Sequence, residues 1–265
     1  LCYNIPKIKK LKSKVKLMDG EIKIEKKETI TELHGLMPDE VCSLRIYANK
    51  KTDLAFLSDY PKVEELFLRG DFTDITAINE LHQLKRLKMY LYQPVSFSCI
   101  RCDALESLSA SCIVDETFPA FLTARLQVLE LSSIRKLKDL SFLEQATGLR
   151  KLYLDSLPSV EVLPDFSKLL KLFALKIYEL HKLRDIEALR DSFIQYLDFT
   201  LAADKLSGTK IAEILLGMKQ LKGADMVYMD RSSIRRYQVL ENKLKKEKRA
   251  DLLDYRMEYA SWKNL

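Results

Sequence analysis

Apolar residues along this chain fall into one short figure, apolar-x-x-apolar-x-apolar, and the figure returns eight times. It stands at Val41-Leu44-Ile46, Val63-Leu66-Leu68, Leu84-Leu87-Met89 and Leu105-Leu108-Ala110. It continues at Leu126-Leu129-Leu131, Leu149-Leu152-Leu154, Leu172-Leu175-Ile177 and Ile194-Leu197-Phe199. Successive starts lie 22, 21, 21, 21, 23, 23 and 22 residues apart. The alternation at the end of each figure predicts a short strand, with its leucines on one side and the intervening residues on the other. A unit this short cannot bury its apolar side alone. A period held over eight units therefore predicts a solenoid in which each repeat stacks on its neighbours.

A second apolar set lies between the strands, as in Ile75, Ile78 and Leu81, Leu137, Leu140 and Leu143, and Leu183, Ile186 and Leu189. Steps of three suit 3₁₀ turns or short helices returning along the convex side. Ahead of the repeats, Asp19-Gly20 is a pair that tolerates positive φ, and it predicts a hairpin. In that hairpin Leu17 faces Ile22 and Val15 faces Ile24, with Lys16 and Lys23 on the wet side. Residues 1–40 are expected to cap the open end of the first repeat, and 41–206 to form the repeats. Beyond them, Ser207-Gly208-Thr209 predicts a helix start with Ile211, Ile214, Leu215 and Met218 on one face. Leu221-Ala224-Met226 predicts a ninth, degenerate strand. Ile234, Tyr237, Leu244, Leu253 and Met257 predict one or two more helices, with Trp262 pinning the tail, so that 207–265 form a helical C-terminal cap.

The stretches DITAINELHQLKRLKM, LKDLSFLEQATGLRKLYL and LRDIEALRDSFIQYLDF resemble the 22-residue class of leucine-rich repeat. That class occurs in bacterial internalins and in a regulatory subunit of eukaryotic protein phosphatase 1. The resemblance covers about residues 41–200 and implies an α/β repeat fold, a curved solenoid with parallel strands on its concave face. The family usually places Asn at the ninth position, where its amide bonds the turning backbone. In the second to seventh repeats that position holds Asp71, Tyr92, Ile113, Ile134, Leu157 and Leu180, so among these Asp71 alone could imitate the ladder and apolar packing must hold the corner. The expectation is a divergent member of bacterial origin.

Charge is uneven. Residues 1–27 carry nine Lys against three acids, residues 231–265 carry ten Lys or Arg against five acids, and the whole chain is +6. The two ends thus contribute +6 and +5, leaving the middle at −5. Basic ends of this kind solvate the edges of a β-rich stack. They are also the feature on which a nucleic-acid or anionic-surface function would rest, through Lys7, Lys9, Lys10 and Lys12. No apolar run approaches the ~20 residues of a membrane helix. Five cysteines are too few and too scattered for a disulfide framework, and a reduced, cytoplasmic protein is the expectation.

Catalytic candidates are sparse. His34, His82 and His181 are far apart in a fold where sequence distance tracks spatial distance, and no HExxH, Walker-type loop or GxGxxG is present. Cys99-Ile100-Arg101-Cys102 lacks the second pair that a zinc ribbon needs, and a structural role is the plainer reading. The expectation is no enzyme, no metal and no cofactor.

The strand positions between the leucines are more informative. Of the 24 third, fifth and seventh positions, six are Tyr or Phe against 9% aromatic residues overall, so rings gather on a face expected to be open. Tyr47, Phe67 and Tyr90 mix with Arg45, Arg69, Arg86 and Lys88. Ser107, Ser109, Ser111 and Ser132 follow, and then Tyr153, Tyr178 and Tyr196 with Asp155 and Asp198. Strand preference alone attracts aromatic residues. Tyr and Arg are also the residues enriched where proteins bind one another, and this layout predicts a protein partner held on the concave face by the named rings and charges. An intracellular adaptor or inhibitor would fit, as would a structural module of a longer chain.

Overall fold

A computed structural model describes residues 16–18, 21–24, 41–115, 125–202 and 204–255. The chain divides into two compact units. One runs to Gln93 and takes in Ile100–Ala104; the other holds Pro94–Cys99 and continues from Leu105.

In the first unit, β1 (Lys16–Met18) and β2 (Glu21–Ile24) pair antiparallel, with Leu17 opposite Ile22 and Lys16 opposite Lys23. This is the register expected of the hairpin; the Asp19-Gly20 turn and Val15 lie outside the described residues. β2 then adds in parallel to β3 (Ser43–Thr52), so the hairpin meets the first repeat edge to edge. β4 (Glu65–Phe72) and β5 (Arg86–Leu91) follow in parallel, with Leu44, Leu66 and Leu87 in one row and Ile46, Leu68 and Met89 in the next. The β3–β4 register shifts after Ala48. There Gly70 adopts φ 131°, and a Cβ on it would sit 1.9 Å from the Ala48 carbonyl oxygen, so both backbone conformation and space require glycine.

The second unit stacks six parallel strands: β6 (Ser107–Ser111), β7 (Val128–Ser132), β8 (Lys151–Asp155), β9 (Ala174–Tyr178), β10 (Tyr196–Thr200) and β11 (Gly223–Val227). Pro94–Cys99 joins it through a bridge from Val95 to Ile113 and through Phe97, which is fully buried and donates its N–H to Asp115.

All 24 apolar positions of the eight figures are buried, none more than 3% exposed. At about 1.5–3 kcal/mol for each fully buried large aliphatic side chain, the interior of each unit is what holds its repeats together. The return segments behave as their spacing predicts, with 3₁₀ turns at Ala55–Asp59, Thr76–Glu80, Ser141–Gln145 and Glu187–Leu189. An aspartate opens each of them. The carboxylates of Asp53, Asp74, Asp139 and Asp185 each accept the backbone N–H two residues on, at 2.8 Å, and Asp165 does the same on the return after β8. Such Asx turns fix the chain's change of direction.

The corner after each strand has its own device. Cys112, Ser133, Ser156 and Glu179 all lie in the left-handed region, at φ 49–56°, and each occupies the eighth position of its repeat. Backbone bonds link neighbouring corners, from Ser133 N–H to the Asp155 carbonyl and from Ser156 N–H to the Tyr178 carbonyl, both 3.0 Å. Ile113, Ile134, Leu157 and Leu180 at the ninth position are buried, so apolar packing holds the corner as expected. Asp71 differs from its expected role: its Oδ1 is buried without a hydrogen-bond partner and makes no ladder bond.

Ser207 caps α1 (Gly208–Gly217) by accepting the Lys210 N–H, and Ile211, Ile214, Leu215 and Met218 are buried as predicted. α2 (Arg231–Lys246) starts in a reciprocal cap between Asp230 and Ser233. The two helices approach closely at Gly208, where a Cβ would lie 2.1 Å from the Arg236 carbonyl oxygen. Arg236 ties α2 to the end of β10 through the Leu201 carbonyl and Asp204. Ile234 is 38% exposed and contributes little to the interior that was expected of it. Trp262 and Met257 lie outside the described residues.

Candidate functional site on the strand face

Strand register sorts the outward-facing residues of each unit into rows. In the first unit the third-position row is Ser43, Glu65, Arg86; the fifth is Arg45, Phe67, Lys88; the seventh is Tyr47, Arg69, Tyr90. The fifth and seventh rows interlock as a checkerboard, cation–ring–cation beside ring–cation–ring. Tyr47 and Phe67 have ring centroids 5.4 Å apart and Phe67 and Tyr90 5.8 Å apart, both pairs inclined rather than stacked. Arg45 lies 6.0 Å from the Phe67 centroid and Lys88 5.2 Å from that of Tyr90, within cation–π range. Arg86 pairs with Glu65. Arg69, between the two tyrosines, is exposed, and no described residue pairs with its guanidinium. The structure thus brings together Tyr47, Phe67, Arg69, Arg86, Lys88 and Tyr90 on one face.

The second unit places its residues differently. Its fifth row runs Ser109, Glu130, Tyr153, Lys176, Asp198, Asp225, and its seventh Ser111, Ser132, Asp155, Tyr178, Thr200, Val227. Tyr153 and Tyr178 meet edge to face at 6.4 Å, and the Tyr153 hydroxyl reaches Asp155 Oδ2 at 3.4 Å. Burial pushes the Tyr153 hydroxyl above its ordinary range, and the Asp155 charge adds to the effect. Lys176 and Asp198 form an ion pair at 3.1 Å with side chains only 9% and 6% exposed. Burial raises the Asp198 carboxyl, Lys176 opposes that rise, and the neighbouring Asp225 reinforces it. The expectation of an open face throughout therefore fails at Asp198, which is buried and engaged inside the chain.

Tyr196 is also occupied. Tyr255 stacks on it with centroids 4.8 Å apart, and both pack against Ala174. The third-position row explains why: Ala174, Tyr196 and Gly223 are in register, and the small residues on either side leave room for the incoming ring. Tyr255 and Asp225 have no counterpart among the predicted site residues, because both lie outside the eight figures. The degenerate ninth strand was a signal for Asp225 alone.

The remaining chemical candidates are dispersed. Cys99 is exposed, whereas Cys102 is buried, and that burial pushes its thiol up to about 12. His82 and His181 are exposed, and His34 lies outside the described residues. No group of three or more His, Cys, Asp or Glu among the described residues is arranged to hold a metal ion. No helix among them is long and apolar enough to cross a membrane.

No protein-family model matches the chain. No curated protein matches it either. Solved structures do. Internalin C2 from Listeria monocytogenes is similar at a TM-score of 0.53 and 19% identity, over 72% of this chain and 82% of that one. An internalin F from the same organism matches at a TM-score of 0.37 and 16% identity, over 81% and 80%. A leucine-rich-repeat protein of Leptospira interrogans matches at 0.45 and 17%, over 69% of this chain and 54% of its own. At these identities the likeness is one of fold.

Proposed function

We propose that this chain, with its leucine-rich-repeat fold, is a non-catalytic scaffold that holds a partner protein on its strand face. The checkerboard of Tyr47, Phe67 and Tyr90 with Arg45, Arg69 and Lys88 carries this reading. Rings and guanidinium groups supply most of the affinity at protein interfaces, and here they share one surface with a cation at its middle that pairs with no described residue. Tyr153, Asp155 and Tyr178 form a ring-bearing patch of the second unit's own strand face. Tyr196 and Asp198 support that face from below rather than touching the partner. The hairpin and the two helices serve to close the ends of the stack, which a repeat array requires for solubility. A cytoplasmic adaptor or inhibitor is the role this arrangement suits.

The test is affinity capture from native cell extract, with far-UV circular dichroism confirming that each bait is folded. A protein retained by the wild type and lost from a Phe67→Ala/Tyr90→Ala bait supports the proposal. Equal retention by wild type, by that bait and by a Tyr153→Ala/Tyr178→Ala bait moves binding off the strand face and defeats it.

A further inference from the structure

Resting on the reading of the strand face as a protein-binding surface, we infer that the face built from β3, β4 and β5 is made for an acidic protein segment, one that carries carboxylates interspersed with aliphatic side chains. Charge points first to this occupant. Across the third, fifth and seventh positions of these strands, Arg45, Arg69, Arg86 and Lys88 stand against the carboxylate of Glu65, and with Asp71, the next position of β4 in the same alternation, the balance is four minus two, or +2. Glu65 is taken by Arg86, and neither Asp71 nor any other described residue forms an ion pair with Arg69. Arg69 is exposed between two tyrosines that are in register with it on the flanking strands. Its guanidinium fork is therefore presented to solvent, where it can form a bidentate pair with an incoming carboxylate.

The rings select among anionic partners. A single-stranded nucleic acid is also negative and also favours aromatic surfaces, but it needs ring faces on which bases can stack. Here the rings of Tyr47, Phe67 and Tyr90 lean on one another at 46° and 61°. Arg45 lies against Phe67, and Lys88 against Tyr90. Mutually inclined rings, two of them already met by a cation, offer no continuous flat platform for successive bases, whereas aliphatic side chains need none. The checkerboard also spaces its charges. Along a row the rings separate the cations by one strand, so neighbouring carboxylates of a partner would each meet a cation while the side chains between them meet carbon.

The experiment uses the full chain and a fluorescein-labelled short peptide of repeated Asp-Glu-Leu-Gly units, followed by fluorescence anisotropy. Labelled oligothymidylate is the competitor class. Two variants carry the same change in net charge: Arg69→Glu/Lys88→Glu on the face, and Lys219→Glu/Lys222→Glu at two exposed lysines elsewhere. The expected result is saturable peptide binding that weakens about tenfold or more in the first variant and stays within about twofold in the second. Equal weakening in both would reduce the effect to overall charge and overturn the inference. Oligothymidylate binding that depends on Arg69 and Lys88 and exceeds the peptide's would overturn it in favour of nucleic acid. Absence of saturable binding would overturn it as well. If captured protein still depends on Phe67 and Tyr90 in that case, the strand-face function survives and only the acidic character of the partner is lost.

Discussion

Tyr255 lies stacked on Tyr196, centroids 4.8 Å apart and planes 30° from parallel, in the space left by the missing side chain of Gly223. A Cβ on Gly223 would stand 2.4 Å from the Tyr255 Cβ, so the ring's position depends on that glycine. Gly223→Val should expel Tyr255 and lower stability by about 1–3 kcal/mol, the usual cost of overpacking a filled site. Urea unfolding gives the magnitude. Limited proteolysis near residue 250 reports whether the segment has come away.

The buried pair of Lys176 and Asp198 predicts an asymmetry. Asp198→Ala leaves a buried lysine without its carboxylate and should cost about 3–5 kcal/mol. The double replacement Lys176→Met/Asp198→Leu removes both desolvation penalties and should recover most of that loss. Equilibrium denaturation of the wild type, the single and the double variant measures it. A double variant no better than the single one would refute the reading.

Acid should weaken the turns. Hydrogen bonds from Thr76 and Ser141, backbone first, hold the carboxyls of Asp74 and Asp139 below their ordinary range, and Ser167, side chain first and backbone second, does so for Asp165. A depressed folded pKa contributes stability above the unfolded value, about 3.9, and that contribution is lost as pH falls through the folded values. Replacing all three by Asn keeps an acceptor but removes the titration. Melting temperature measured from about pH 5 to pH 2 should fall less steeply in that variant.

Corner residues should respond oppositely to glycine chemistry. Gly70→Ala meets both a positive φ and the Ala48 backbone, and should cost about 2 kcal/mol or more. Ser133→Gly relieves a left-handed serine at φ 55° and should be neutral or stabilising by up to about 1 kcal/mol. Thermal unfolding of the two variants separates them.

Thiol reactivity should split the Cys-x-x-Cys. With its thiol pushed up to about 12 by burial, Cys102 carries almost no thiolate at neutral pH, whereas Cys99 is exposed. Brief iodoacetamide treatment of the folded protein, read by mass spectrometry, should label Cys99 and spare Cys102 until denaturant is added.

Much of this architecture was legible because one period dictates it. The inward positions from Val41 to Phe199, the 3₁₀ returns and the Ser207 helix start all follow from apolar spacing and local capping. Features without a hydrophobic signature were harder to read. Left-handed corners at Cys112, Ser133, Ser156 and Glu179 span three residue types, since it is backbone geometry that recurs there. The aspartates opening the returns were visible as Asp followed by an apolar residue at Asp53, Asp74, Asp139, Asp165 and Asp185, but their hydrogen bonds emerge only in three dimensions. At the candidate site, alternation placed the rings on the correct side of each strand. It could not show that Lys176 closes over Asp198 or that a ring fifty-nine positions downstream (255 − 196) settles on Tyr196.

Strand partners keep the same phase whether the chain between them is short or long. Glu65 pairs with Arg86 after 21 residues, Val128 with Lys151 after 23, and Tyr196 with Gly223 after 27, where α1 stands in place of a 3₁₀ turn. The returns can therefore lengthen, shorten or change secondary structure without disturbing which side chains stand together on the sheet. Loop closure makes such changes inexpensive, about 0.6 kcal/mol for each doubling of a flexible loop. Peptide tags or reporter sequences inserted into the returns should thus leave the opposite surface intact, which makes those segments the natural attachment points for immobilising this protein with its strands free.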